Sequence, residues 1–580
     1  MTAGGDLRAE VVTRPQAVLA LEPDWTRLWA AQPRREVFTG FAWSRASLEA
    51  TGSSRTPHLV VVRRGDAVAG ILPLAWDGRE LRFLGGEHAD YNDLLVAGDE
   101  PAAVTELALR TALAAGAGRC VLDNLPEWST LCRSLDRLPA GLRARIAVVE
   151  GPPCPALRLD QDREAVLGAL LGKQSLKRHE KKLARLGRLE LRHLTDRDAI
   201  RERLPDFFDQ HVARRAMAGE PSLFREPAAR DFYHRLVEHF DPAHELRFAV
   251  LTVDDRAVAY HLGFELGGRF TWYKPSFDVD LWDYGTGEVL LKRLLEYARE
   301  HPIVEFDFTR GAESFKDRFS NHAGQNVRWT LHPSAAAARW SDVRRRARAR
   351  LAATPWIATL RARSRVARAG GAAAPPRSAR PSPWRAIRTR EETLVLSADR
   401  SRAAAGTETA GRDRGLVIER ASLRELSRRA AAGTPWLPLA DLASVRERLS
   451  QGEAAYLGLC DGALRCVAWL GTRAEITGAA GEAHGPRMPL SGPTSVIEAH
   501  PGPDDPAATA LLERLIVAMA RAASGEAIWL LIDARRSAWR TAASRLGFSA
   551  RCRIGRSWFL GRPSRPWLAP VGDAAPAPGA

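Results

Sequence analysis

A mixed α/β protein built from a repeated supersecondary unit is the fold class that this sequence predicts. Three observations predict it. One order of elements, β-hairpin, strand, helix, strand, helix, strand, recurs from His58, from Leu246 and from Ala454. Turn residues separate the paired β-rich runs in each copy, and the intervening helices carry apolar residues at helical spacing. The chain has 580 residues, 45% hydrophobic and 27% charged, enough for three or four domains with buried cores. Disordered, collagenous and disulfide-stapled classes are excluded.

In the first copy LVVV and AVAGILPLAW flank the turn Arg63-Arg64-Gly65-Asp66. Strands follow at Leu81–Leu84 and Tyr91–Val96, then a helix over Ala102–Ala115, a buried strand at Cys120–Leu125, a short helix, and a strand near Arg145–Val149. In the second copy RFAVLTV and AVAYHLGFEL flank Asp254-Asp255, and RFTWYKP is a third strand. Helix Glu288–Glu300, strand Ile303–Phe308, helix Glu313–Phe319 and strand Val327–His332 complete it. In the third copy YLGLC and ALRCVAWLG flank Asp461-Gly462. Strand Thr494–Ala499, helix Ala507–Ala523, strand Ile528–Asp533, helix Ser537–Leu546 and strand Arg553–Leu560 follow. Helical stretches at about Arg163–Gly187 and Asp206–His239 lie between the first two copies.

The net charge of +16 is unevenly spread. Between Arg339 and Arg414 stand 19 Arg, no Lys and 6 acidic residues, a net +13, so the other 504 residues carry only +3. The globular part is near neutral, which argues against a nucleic-acid binder. The Arg/Ala/Pro-rich segment reads as a linker. The domains expected are therefore 1–160, 161–335, a linker over 336–414, 415–562 and a disordered tail, 563–580. Six scattered Cys form no C-x-x-C pair, which predicts neither a zinc ribbon nor a disulfide framework and suits a reducing cytoplasm. His179, His211, His234, His239 and His244 form no H-E-x-x-H arrangement, so no metal site is expected. No signal peptide is read at MTAGGDLRAEVV, and charges break the apolar window Leu511–Ile532, so no span is expected.

Five motifs carry a resemblance: GILPLAW from Gly70, HADYNDLLV from His88, the basic helix KQSLKRHEKKLARL from Lys173, YKPSFDVDLWDYGTGEVLLKRLLEYA from Tyr273, and EFDFTRGAESFKDRFSN from Glu305. The chain from about Trp25 to His332 resembles the BioF2-like or CelD (BcsL) acetyltransferases, with two FemAB-like GNAT halves in tandem. The third copy is similar to a single GNAT domain through IWLLIDARRSAWRTAASRLGF from Ile528. The resemblance implies a tandem GNAT-like acyl-CoA N-acyltransferase fold with a third module. It also implies acetyl-CoA or another acyl-CoA as co-substrate with no permanently bound cofactor, and an acceptor in the cleft between the halves. Where a basic Gly-rich phosphate loop is usual, the third copy has Asp504, Asp505 and Pro506, which puts coenzyme A binding there in doubt.

The residues fit that chemistry. Gly285-Thr286-Gly287 stands before a helix, where free N–H groups and the dipole attract pyrophosphate; ordinary N-capping by Thr286 is the alternative. Glu288 in the first turn favours the dipole but repels phosphate. Acyl transfer needs a base and donors to the thioester oxygen, for which the candidates are Tyr273, Asp278, Glu305, Asp307, Glu313 and Lys316. Glu305 and Asp307 share one strand face, opposite Phe306 and Phe308. Buried there, they act in catalysis or pair with Arg310, Lys316 or Arg318. Lys316 resembles the lysine of the family's G-x-x-x-[YF]-K element, and its alternative is a helix-surface lysine. Asp90, Tyr91 and Asp93 resemble the DY-x-D element lining the cleft, or else cap a turn. Arg310 and Glu313 join them as substrate-binding candidates.

The function expected is acyl transfer from coenzyme A to a nitrogen or oxygen of a sugar or amino sugar in exopolysaccharide or envelope synthesis. Two alternatives stay open. One is FemAB-like aminoacyl transfer from tRNA to a peptidoglycan precursor, which the basic helix suits. The other is a non-catalytic GNAT-fold component, its Arg-rich segment near Trp340–Leu360 lying on an anionic membrane. The location expected is cytoplasmic or membrane-peripheral.

Overall fold

The structure, a computed structural model, describes residues 6–51, 55–98, 100–114, 118–160, 162–352, 388–405, 415–433, 442–477, 487–501, 506–559, 562–563 and 567–571. The chain divides into two compact units, residues 1–215 with 221–362 and residues 216–220 with 363–580.

In the first unit, Leu59–Arg64 and Ala67–Leu72 form the expected hairpin, pairing from Arg64↔Ala67. Its turn passes through Gly65 at φ 60°, a conformation that costs glycine little. Leu7–Val12 and Leu95–Val96 flank the hairpin in a four-stranded sheet. Tyr91–Val96 was expected as one strand, but only its last two residues are extended. Tyr91, Asn92 and Asp93 are instead drawn into side-chain bonds to Asp307, Asp123 and the Thr130 amide.

An eleven-stranded sheet joins the two halves. Its order is Leu189–Leu194, Leu246–Val253, Arg256–Leu266, Arg269–Phe277, Glu305–Asp307, Ile146–Arg158, His322–Leu331, Cys120–Pro126, Leu81–Phe83, Leu74–Trp76 and Thr56–Pro57. The long strand Ile146–Arg158 ends the first copy yet inserts between the last two strands of the second, so neither half's sheet is complete alone. Helix Thr286–Glu300 packs Leu290, Leu291, Leu294 and Leu295 against Phe270, Trp272, Phe306 and Phe308. Each such side chain contributes about 1.5–3 kcal/mol by leaving water.

The second unit repeats this topology: Leu416–Ala421, Ala454–Cys460, Ala463–Thr477, Arg487–Pro501, Ala527–Asp533, Arg388–Asp399 and Ser549–Phe559 lie in that order. Here the 336–414 linker expectation is corrected. Arg388–Asp399 is a strand between Ala527–Asp533 and Ser549–Phe559, with Leu394, Val395 and Leu396 buried. It occupies the place that Ile146–Arg158 holds in the first unit. The surrounding arginines masked a short apolar run in the average composition. The expected linker also begins inside a helix, Ala335–Ala352. The Gly370-Gly371 and Pro-rich stretches, Asp504, Asp505 and most of the 563–580 tail lie outside the described residues.

Candidate active site

Two parallel strands open the site. Arg269–Phe277 and Glu305–Asp307 pair only through Arg269↔Glu305, Phe270↔Phe306 and Thr271↔Asp307. Past Asp307 the chain turns away through Thr309 at φ 56° and follows Ile146–Arg158, with the Phe308 and Gly311 amides donating to Pro155 and Pro153 carbonyls at 3.0 and 2.9 Å. Among the described residues, no strand therefore pairs with that edge of Trp272–Phe277. Pro275, with no N–H to offer, suits an unpaired edge.

A bulge re-aims the side chains at the point of parting. Phe264 faces Thr271 and Leu262 faces Lys274, so Trp272 and Tyr273 stand opposite Gly263 alone and the alternation slips by one. Tyr273 and Lys274, neighbours in sequence, come to one face, with the Lys274 ammonium 3.8 Å from the Tyr273 ring centroid. Gly263 makes this possible: a Cβ there would lie 2.2 Å from the Thr271 carbonyl oxygen and 2.2 Å from His261.

Tyr273 is not free to act as an acid or base. Its hydroxyl donates to the His88 carbonyl at 2.5 Å and accepts from Tyr233 at 2.7 Å, and burial holds its pKa well above the usual value. It ties the second half to the first. Asp278 also departs from its expected role: its carboxylate pairs with Arg256 at 2.5 Å and caps the turn Val279–Tyr284 through the Asp280 amide.

Behind the parting strands lies a buried ionic cluster. Arg34 binds Glu305 with two hydrogen bonds, 2.6 and 3.1 Å, and Glu36 at 2.9 Å, while stacking over Trp128. Arg269 reaches Glu36 at 3.1 Å. Asp307 Oδ1 accepts from the Tyr91 hydroxyl and the Thr309 amide, both at 2.8 Å. Its Oδ2 has no hydrogen bond, and the nearest cation, Arg34, is 3.8 Å away. Two guanidiniums thus face three carboxylates. Burial, reinforced by Glu36, pushes the Asp307 carboxyl up to about 6. The pairing expected with Arg310, Lys316 or Arg318 goes instead to Arg34.

A second group sits where the halves meet. Asp90 accepts from Arg310 Nε at 2.7 Å, and Arg310 also donates to Asn124 at 3.1 Å. Burial works against the Asp90 charge, but Lys274 and Arg310 outweigh it and hold the carboxyl below its usual range. Lys316 is buried, not on a helix surface, donating to the Arg310 carbonyl at 2.8 Å and pairing with the half-exposed Glu313 at 3.0 Å. Burial lowers the Lys274 ammonium to about 8, opposed by Asp90. Asp93 falls to the capping alternative: it accepts from the Thr130, Leu131 and Leu94 amides, and burial pushes its carboxyl up to about 6. A cleft of about 250 Å³ lies beside Arg310, walled by Arg55, Arg82, Asn92, Asp123, Asn124 and Arg328.

At the helix N-terminus, Gly285 rather than Thr286 is the cap, with φ 67°. Thr286 instead donates to the Leu281 carbonyl at 3.0 Å. Glu288 is held between His179 at 3.0 Å and Arg318 at 2.7 Å, so its repulsion of an anion is countered. Lys173, at the N-cap of helix Gln174–Leu183, and Lys182 within it close in, bonded to the Arg318 and Asp283 carbonyls. Gly287 packs on Phe277. Glu49, Glu238 and His239 place one ligand atom each within 4.8 Å of one another, but Arg45, Arg201 and Arg235 already balance those carboxylates.

Residues 172–317 match the family described as the acetyltransferase (GNAT) domain. The parting strands, the helix behind them and the basic helix all fall in that segment, which makes the second half a GNAT-type acyltransferase domain of mixed α/β fold. No curated protein matches the chain. Among solved structures, FemX is similar over 56% of this chain and 97% of its own, at 10% identity and TM-score 0.40. A tandem GNAT protein from the clavulanic acid biosynthesis pathway is similar over 57% and 99%, at 14% identity and TM-score 0.34. A GCN5-related N-acetyltransferase from Kribbella flavida is similar over 57% and 71%, at 14% identity and TM-score 0.29.

Proposed function

We propose that this chain moves an acyl group from coenzyme A to a hydroxyl or amine of a sugar or amino sugar, as the resemblance to the BioF2-like and CelD acetyltransferases suggests. The observation that carries the reading is the strand pair that separates after Thr271 and Asp307. It leaves the backbone groups that face outward from the unpaired edge beyond Tyr273 for an extended amide-bearing chain, which is the chemistry of a pantetheine arm. The pyrophosphate falls to the start of helix Thr286–Glu300, with Arg318, Lys173 and Lys182 around it.

The acceptor enters the cleft beside Arg310, whose alternating guanidinium, carboxylate and amide groups suit a polyhydroxyl molecule. Its nucleophile attacks the thioester carbonyl, forming the new C–O or C–N bond as the C–S bond breaks. The proton released passes through the Tyr91 hydroxyl, which yields its own to Asp307. Lys274 returns a proton to the leaving thiolate. Two groups shifted toward neutrality from opposite sides fit an acid and base pair.

Calorimetric titration of the full chain tests this. Acetyl-CoA binds with one site per chain and competes with free coenzyme A; absence of binding overturns the reading. Exposed Lys177, Arg178 and Lys181 favour a second reading, aminoacyl-tRNA as donor, and binding of charged tRNA in place of acetyl-CoA would select it.

A further inference from the structure

We propose that helix Ala335–Ala352 seats the protein on an anionic membrane surface, with Trp340 and Val343 entering the lipid interface. The inference does not rest on the acyl-transfer reading. Trp340 and Val343 are the two most exposed large hydrophobic side chains among the described residues, at 63% and 56%. Solvated proteins scatter such residues singly; these two stand three apart on one helix.

The helix has a buried side set by Ala338, 6% exposed. Ala336, Trp340, Val343 and Ala347, all exposed, follow the spacing of a single face directed away from it. Arg339 and Arg344 border that ridge on its two flanks. Arg345 and Arg346 hold Asp342, the one acid of the helix, against six arginines. Running on to residue 387, the sequence adds seven arginines and no acid.

A narrow apolar ridge between rows of arginine matches the headgroup boundary, where indole rings concentrate and each basic residue gains about 1 kcal/mol from anionic lipid. Nucleic acid would account for the arginines but not for the ridge. No helix among the described residues is long and apolar enough to cross a membrane.

The test is flotation of the full chain with phosphatidylcholine vesicles, with and without phosphatidylglycerol. The chain floats only with the anionic vesicles, and high salt releases it. The double variant Trp340→Ala/Val343→Ala, confined to exposed positions, loses binding about tenfold, the effect of about 1.4 kcal/mol. Equal flotation on neutral vesicles overturns the proposal. So does a double variant that binds as tightly as the natural chain, which would mean the arginines act alone, as they would on nucleic acid.

Discussion

Asp307→Asn slows acyl transfer by about 10²–10⁴-fold and at the same time stabilises the fold above pH 6. The two effects share a cause. Asp307 is 1% exposed, one oxygen has no hydrogen bond, and its carboxyl is pushed up from an ordinary 3.8 to about 6. The folded state therefore holds the proton more tightly than the unfolded chain. The stability this gives is complete below pH 4 and lost as pH rises through 6. At pH 8 the buried charge then costs about 3 kcal/mol. Asparagine keeps an oxygen for Tyr91 and the Thr309 amide, yet removes the uncompensated charge. Thermal unfolding should show the variant gaining at pH 8 and unchanged near pH 4. Natural enzyme should lose activity below about pH 6, where Asp307 is protonated, and above about pH 8, where Lys274 has given up its proton. A variant that loses stability and keeps its rate would make Asp307 purely structural.

Arg34→Met has the larger effect on folding, about 3–5 kcal/mol. Arg34 is the shared partner of Glu305, Glu36 and Asp307, and those three charges outweigh its own desolvation and keep the guanidinium charged. Without it Arg269 alone faces three buried carboxylates. Urea unfolding of the full chain, followed by probes in each unit, should show an earlier transition in the first unit, where the cluster lies. Adding Glu36→Gln should recover part of the loss, because it removes one of the orphaned charges; strictly additive losses would contradict the coupling.

Much of the fold was legible in the sequence because hairpins announce themselves locally. Gly65, Asp254-Asp255 and Asp461-Gly462 all turn where the runs on either side predict, with positive φ at each. What escaped was long-range insertion. Nothing local marks Ile146–Arg158 or Arg388–Asp399 as the strand that enters another repeat, and arginine-rich neighbours hid the second. The site was legible where a residue type is costly in its setting, as with Asp307 between phenylalanines. Lys274 carried the same signal, a lysine in an apolar strand, one residue from Tyr273. Strict alternation puts the two on opposite faces, and only the bulge opposite Gly263 brings both to one. Arg34 and Glu36 lie in a stretch with no periodicity, and only tertiary contact reveals them. Thr286 lost the cap to Gly285, since the chain enters the helix through a left-handed residue that glycine alone takes readily.

Hydrogen exchange of the full chain with and without acetyl-CoA probes the free edge most directly. Binding should slow those amides of Trp272–Phe277 that face the unpaired edge, together with those at the start of helix Thr286–Glu300, and leave the matching residues of the second unit, Ala499 and His500 just past the last pair Glu498↔Leu531, unchanged. Protection confined to Ala499 and His500, or bound acetyl-CoA with no protection along Trp272–Phe277, would contradict a donor seated where the two strands part.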